Sequence, residues 1–232
     1  MNSSVRTSPS LPACRPYTQP YDRAELIADA IMHATGLGFA VAALILLISA
    51  ADGLPGFQTA SVWIYGIGLV TMFGVSAAYN IWPVCSAKLM LRRFDHSAIY
   101  LFIAATYTPF VAHAGQNALN KEFLAAIWIV ALIGVVLKLA YPGKFERLTI
   151  TLCLALGWSG LFAYDAVFSS LPASTIALIV AGGILYSVGV IFHLWDRLRF
   201  QNAIWHAFVF GAAAFQFFAV FKSVSAAAAA IG

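Results

Sequence analysis

Glu25, Asp29 and His33 follow one another at intervals of four residues, as do Ser76 and Asn80, and again Asn202 and His206, while Asp95 and His96 are adjacent. On a helix a spacing of four stacks side chains on one face, so each set would present its polar groups together. The residue types suit water and metal chemistry. A carboxylate beside a hydroxyl and a histidine can orient or deprotonate water, and histidine and carboxylate are common ligands of a catalytic ion. Asp95 and Ser76 are therefore candidate catalytic residues, His206 is a candidate metal ligand, and Glu25, Asp29 and His33 form a further polar layer. Each also has a plainer reading. Glu25 and Asp29 would favour the dipole at a helix start, Asp95 would cap a helix beginning there, and a histidine in a helix commonly packs as a hydrogen-bonded core residue.

The elements that must carry these residues are apolar. Of 232 residues, 62% are hydrophobic and 9% charged, against roughly 25% charged in a soluble domain. About 20 apolar residues cross a bilayer as a helix, and seven segments approach that length: 28–51, 60–81, 97–114, 123–140, 148–168, 174–194 and 203–224. Pro109 interrupts the third and is expected to kink it. The expected fold is an all-α membrane protein, a single bundle of seven transmembrane helices over residues 25–232. Residues 1–24 are polar, rich in Ser, Pro and Arg, and read as a disordered tail. The first apolar run is too long and begins too late for the core of a signal peptide, so it reads as a retained helix.

Lysine and arginine orient the bundle. Arg6, Arg15, Arg23, Lys88, Arg92, Arg93, Lys138, Lys144, Arg147, Arg197 and Arg199 fall in or beside the tail and the even-numbered loops; Lys121 and Lys222 fall on the other side. The positive-inside rule places the tail in the cytoplasm and the C-terminus outside. All the polar pairs then lie at similar depth, toward the cytoplasmic leaflet. The net charge of +4 comes with no basic stripe bearing interleaved aromatics, which excludes a nucleic-acid surface. Cys14, Cys85 and Cys153 have neither metal-knot nor disulfide spacing and read as unpaired thiols. There is no inverted repeat of the transporter kind. Lys222 in the last segment could suggest a rhodopsin, but it lies near the outer end and the N-terminus is inverted for that class.

Four segments resemble the hemolysin III family, the bacterial branch of the progestin and adipoQ receptor group: ELIADAIMHATGLG from Glu25, SAAYN from Ser76 to Asn80, RRFDHSAIYLFIAATYTPF from Arg92 to Phe110, and NAIWHAFVFGAAAFQ from Asn202 to Gln216. The resemblance implies a zinc site facing the cytoplasm, with ligand histidines at the positions of Asn80, Asn202 and His206, and an aspartate at Asp95 meeting the metal through water. Only His206 keeps the ligand identity here; Asn80 and Asn202 replace the other two, and Gln216 replaces a further histidine common in the family. The expected function is accordingly a multi-pass protein of the bacterial inner membrane, non-catalytic or regulatory, with a degenerate metal site and membrane lipid as its partner. The alternatives are a metal-dependent hydrolase of lipid amides or esters and, from the family name, a pore-forming cytolysin.

Overall fold

The computed structural model describes residues 22–83, 85–114, 118–169, 171–195 and 197–231. Cys14 and all but the last three residues of the expected tail lie outside them. Among the described residues there are seven α-helices: α1 (Arg23–Ala50), α2 (Gly56–Ile81), α3 (Ser86–Ala114), α4 (Ala118–Ala140), α5 (Glu146–Trp158), α6 (Ala173–His193) and α7 (Gln201–Ala229). Six of them, all but α5, are long and apolar enough to cross a membrane.

Local sequence sets the starts. Asp22 accepts a hydrogen bond from the Glu25 N–H while the Glu25 carboxylate accepts one from the Asp22 N–H, a reciprocal cap on α1. Pro55 and Pro172 stand immediately before α2 and α6, where a missing N–H breaks no intrahelical bond. Outward faces carry large apolar side chains, among them Ile45, Ile129, Val136, Ile184 and Phe218. Helices that are apolar on the outside as well as the inside are at home in lipid, not water.

Packing depends on close approach. A Cβ on Gly36 of α1 would lie 2.6 Å from the Phe73 ring of α2, and one on Gly182 of α6 would lie 2.9 Å from Gln216 Nε2 and 3.1 Å from the Ala212 carbonyl of α7. Small residues let helix backbones pack where lipid gives no hydrophobic push. The helix α1 packs against α2 and α7, α3 against α2, α4 and α7, and α6 against α7.

Two segments depart from the sequence expectation. The third helix begins at Ser86, not near residue 97, so Asp95 and His96 lie inside it and Asp95 is not its cap. Lys88, Arg92 and Arg93 are helical residues, since long unbranched side chains favour the helix and nothing before Ser86 is needed to stop it. Pro109 sits within α3, which continues to Ala114. The fifth segment is broken: α5 stops at Trp158, a 3-10 turn covers Ser159–Leu161 and a π-helical turn covers Tyr164–Phe168. Tyr107 of α3 closes that break. Its hydroxyl accepts from the Gly160 N–H (2.9 Å) and donates to the Gly157 carbonyl (2.7 Å). Non-helical backbone at membrane depth needs such partners.

Candidate functional site

The ends of four helices meet where α1, α3 and α7 begin and α2 ends, here called the polar end. The face of α1 that carries Glu25, Asp29 and His33 runs from the surface inward, and His33 is only 3% exposed. Glu25 does not join the inner cluster. Its second carboxylate oxygen accepts from the Phe200 N–H at 2.9 Å, and Asp22 pairs with Arg199 at 2.8 Å. The Glu25 N–H and the Arg199 guanidinium hold the Asp22 carboxyl below its ordinary value. Phe200 takes a left-handed φ of 59° just before α7, and Gln201 donates to the Phe192 and His193 carbonyls at the end of α6. These contacts fix the start of α7, and with it the register of Asn202 and His206.

Deeper in, the amides of α2 and α7 face each other. Asn202 Nδ2 donates to Asp29 Oδ1 at 2.7 Å and to Asn80 Oδ1 at 3.1 Å. Asn80 Nδ2 donates to His33 Nε2 and to the Ser76 carbonyl, both at 2.9 Å. An amide nitrogen can only donate, so His33 Nε2 is the acceptor and the ring proton sits on Nδ1. From there it donates to the Asp29 carbonyl at 2.7 Å. The Ser76 hydroxyl lies 3.4 Å from His33 Nε2 and also meets the Asp95 carboxyl of α3. The His33 and His206 rings stand edge to face with centroids 4.3 Å apart.

Seven of the nine residues singled out in the sequence thus come together from α1, α2, α3 and α7; Glu25 turns to the Phe200 N–H, and the His96 ring lies near Tyr79 with centroids 6.5 Å apart. Two further residues were not legible as participants. Lys88 is buried and donates to the Asn80 and Trp82 carbonyls, closing the end of α2. Tyr107 was part of a matching segment but carried no signal of its role. His113 Nδ1 donates to the Pro109 carbonyl, the His193 ring lies against Trp205, and Asp165 is exposed. Neither Cys85 nor Cys153 is in a disulfide.

The zinc site that the resemblance implies would use Asn80, Asn202 and His206. Those residues do not fit it. Asn80 engages both its amide atoms, Asn202 turns its nitrogen toward Asp29 and Asn80, and a neutral amide oxygen is a poor zinc donor. A different trio has better chemistry: Asp29, His33 and His206 offer one ligand atom each within 4.8 Å of one another. Two imidazoles and a carboxylate form a known ligand set for a catalytic ion. In the arrangement seen, however, both nitrogens of His33 and one oxygen of Asp29 are already hydrogen-bonded within the protein.

A cavity of about 610 Å³ opens onto this layer, a volume typical of small-molecule sites. Ser76, Asn80, Asp95, Asn202 and His206 line it together with apolar and aromatic side chains of α2, α3, α5, α6 and α7, and with further polar and charged groups, among them Arg92, Lys138 and Glu146.

The comparisons with known proteins agree with this architecture. The haemolysin-III related family matches residues 25–217. The Hemolysin-3 homolog of Bacillus subtilis (strain 168) is 36% identical over 197 residues, covering 84% of this chain and 92% of the relative. Hemolysin-3 of Bacillus cereus is 37% identical over 198 residues, covering 84% and 90%. Monocyte to macrophage differentiation factor of Homo sapiens is 30% identical over 174 residues, covering 72% and 71%. With the family match spanning most of the chain and its helices suited to repeated membrane crossing, this protein belongs to the hemolysin III family.

Proposed function

We propose that this chain is a seven-span resident of the bacterial inner membrane that binds an amphiphilic lipid and serves as a non-catalytic sensor or regulator. The observation that carries the reading is the closed network Asp29–Asn202–Asn80–His33, set at the mouth of a largely apolar cavity. Interhelical hydrogen bonds of this kind hold membrane helices in register. A lipid headgroup would meet Ser76, Asp95 and His206 while its chain follows the apolar wall. The loop charges support a cytoplasmic polar end and N-terminus, and α5 with its two following turns would make up the remaining span.

The test is turnover. Purified protein in detergent, offered lipid amides and esters, is expected to retain them unchanged. Hydrolysis that disappears in Asp95→Ala would overturn the non-catalytic reading. It would favour the second reading, a hydrolase of lipid amides or esters, for which the close approach of Asp29, His33 and His206 speaks. There Asp95 and Ser76 would orient the attacking water. The name carried by the Bacillus relatives suggests a cytolysin, but a bundle this apolar on its outer faces is a resident of a membrane. Purified protein added to erythrocytes is expected to cause no lysis.

A further inference from the structure

A second polar group lines the cavity at the polar end, apart from the amide network: Arg92 and His96 of α3, Lys138 of α4, Glu146 of α5 and His193 of α6. Arg92 and His96 are four residues apart on one face of α3, and Lys138 and His193 stand in the last turns of α4 and α6. Lys138 is within electrostatic reach of Glu146 and Arg92, and His96 of Lys138, Arg92 and His193. Two permanent cations therefore share one carboxylate. Arg92 Nη2 meets Glu146 Oε1 at 3.2 Å, but the two side chains are 45% and 54% exposed, and such a pair contributes little. The ion pairs among the described residues involve His33, Arg92 and Arg199, and none involves the half-buried Lys138. Arg93, Arg147 and Arg197, at the same end of the bundle, are exposed and do not line the cavity. Below Arg92, α3 continues along the cavity through Ile99, Ile103 and Phe110. Arg92 and Phe110 are 18 residues apart, about 27 Å along the helix axis.

We propose that the cavity binds a single-chain amphiphile with an anionic head, a carboxylate or a phosphate, held by Arg92 and Lys138 where α3, α4 and α5 meet. This deepens, and rests on, the amphiphile-binding reading above: it gives the charge of the head and the seat of that charge. The planar Arg92 guanidinium offers paired N–H groups that match two oxygens of either head, and Lys138 offers a point charge. The deeper layer is unsuited to an anion, because Asp29 and Asp95 bring carboxyl groups to it. Asp95 is three residues beyond Arg92, about 4.5 Å deeper along α3. A negative group therefore stays at the level of Arg92 and Lys138, and uncharged head atoms are left for Ser76, Asp95 and His206. Basic pockets between membrane helices on the cytoplasmic side bind anionic lipid heads. The cavity, about 610 Å³, has the volume of a small-molecule site, which suits one chain and not two.

The experiment uses the full chain in micelles of a neutral detergent at mildly alkaline pH, where a fatty acid is ionised. It measures displacement of labelled octadecanol by four competitors with the same chain: octadecanol, stearic acid, octadecyl phosphate and octadecylamine. The native protein is expected to prefer stearic acid or octadecyl phosphate over octadecanol by roughly 10-fold, the lower range for one charge-assisted hydrogen bond, and to bind octadecylamine more weakly than octadecanol. The better of the two anions identifies the source, a free fatty acid or a lipid phosphate. In the Arg92→Gln, Lys138→Gln double variant the preference is expected to vanish while octadecanol affinity stays the same. The Arg147→Gln, Arg197→Gln double variant removes as much charge away from the cavity and is expected to keep the preference. Equal loss in both double variants would overturn the seat at Arg92 and Lys138 in favour of a general surface field. Equal binding of all four competitors by the native protein, a result that depends on no variant, would overturn the anionic head and leave the amphiphile reading intact. Failure of labelled octadecanol and of both anions to bind the native protein would overturn the amphiphile reading, and the head site with it.

Discussion

At the polar end of the bundle, Asn202 commits its amide nitrogen to Asp29 and Asn80, and Asn80 in turn commits its own to His33. At mid-bundle, Gln216 Oε1 and the Tyr186 hydroxyl bond to nothing among the described residues. Both regions line the same cavity. The first is satisfied by the protein itself and joins α1, α2 and α7; the second is enclosed in the helix packing with part of its hydrogen-bonding capacity unused. Polar residues inside this membrane protein therefore differ in what they contribute. Those with partners fix the helices, and those without add no interhelical bond of their own.

Removing a satisfied group should hurt most. Asn202→Leu would take from the Asp29 carboxylate its closest donor, leaving His33 Nδ1 at 3.5 Å, and would leave the Asn80 side-chain carbonyl unpaired in a partly buried layer. We expect a loss of about 3 kcal/mol, near the upper range for a buried charged acceptor left without its donor, read by equilibrium unfolding in mixed micelles. A change under about 0.5 kcal/mol, the scale of an ordinary surface substitution, would mean that the layer does not hold the helices. Tyr107→Phe tests the same principle at the break after α5, where the Gly160 N–H and the Gly157 carbonyl would lose their partner. Roughly 2 kcal/mol is expected, with faster amide exchange over residues 157–161. The smallest effect belongs to the exposed pair of Asp22 and Arg199. Arg199→Ala should shift thermal unfolding little. Because the folded Asp22 carboxyl titrates below its ordinary value of 3.8, its contribution is present above that pH and is lost as pH falls through the lower folded value. A stability difference between native protein and Arg199→Ala that grows near neutral pH would contradict the assignment.

Much of this was legible in the sequence for a simple reason. Helical period puts residues four apart on one face, and the parity of loops puts alternate helix ends on one side, so Asp29, His33, Ser76, Asn80, Asn202 and His206 could be placed in one layer before any contact was known. Their partners could not be. Nothing in the spacing says that Asn202 bonds Asn80 or that Glu25 turns to the Phe200 N–H. Those outcomes depend on helix rotation and on the left-handed residue before α7. Helix boundaries were read from hydropathy, which sees the bilayer and not the helix. It therefore missed the polar turns of α3 from Ser86 to Asp95, and it passed over the break after Trp158, where the composition stays apolar while the backbone changes its hydrogen bonds.

The account stands on the claim that Asn80 and Asn202 make a hydrogen-bonded helix junction where the family resemblance would put metal ligands. Metal content per protein, measured on the native chain and on the Asn80→His, Asn202→His double variant after gentle purification and equilibration with zinc, tests it directly. The account predicts well under one zinc per native chain and about one per double variant, whose three histidines complete a suitable ligand set. One tightly held ion in the native protein, lost on His33→Ala, would contradict it and place a working metal centre on Asp29, His33 and His206.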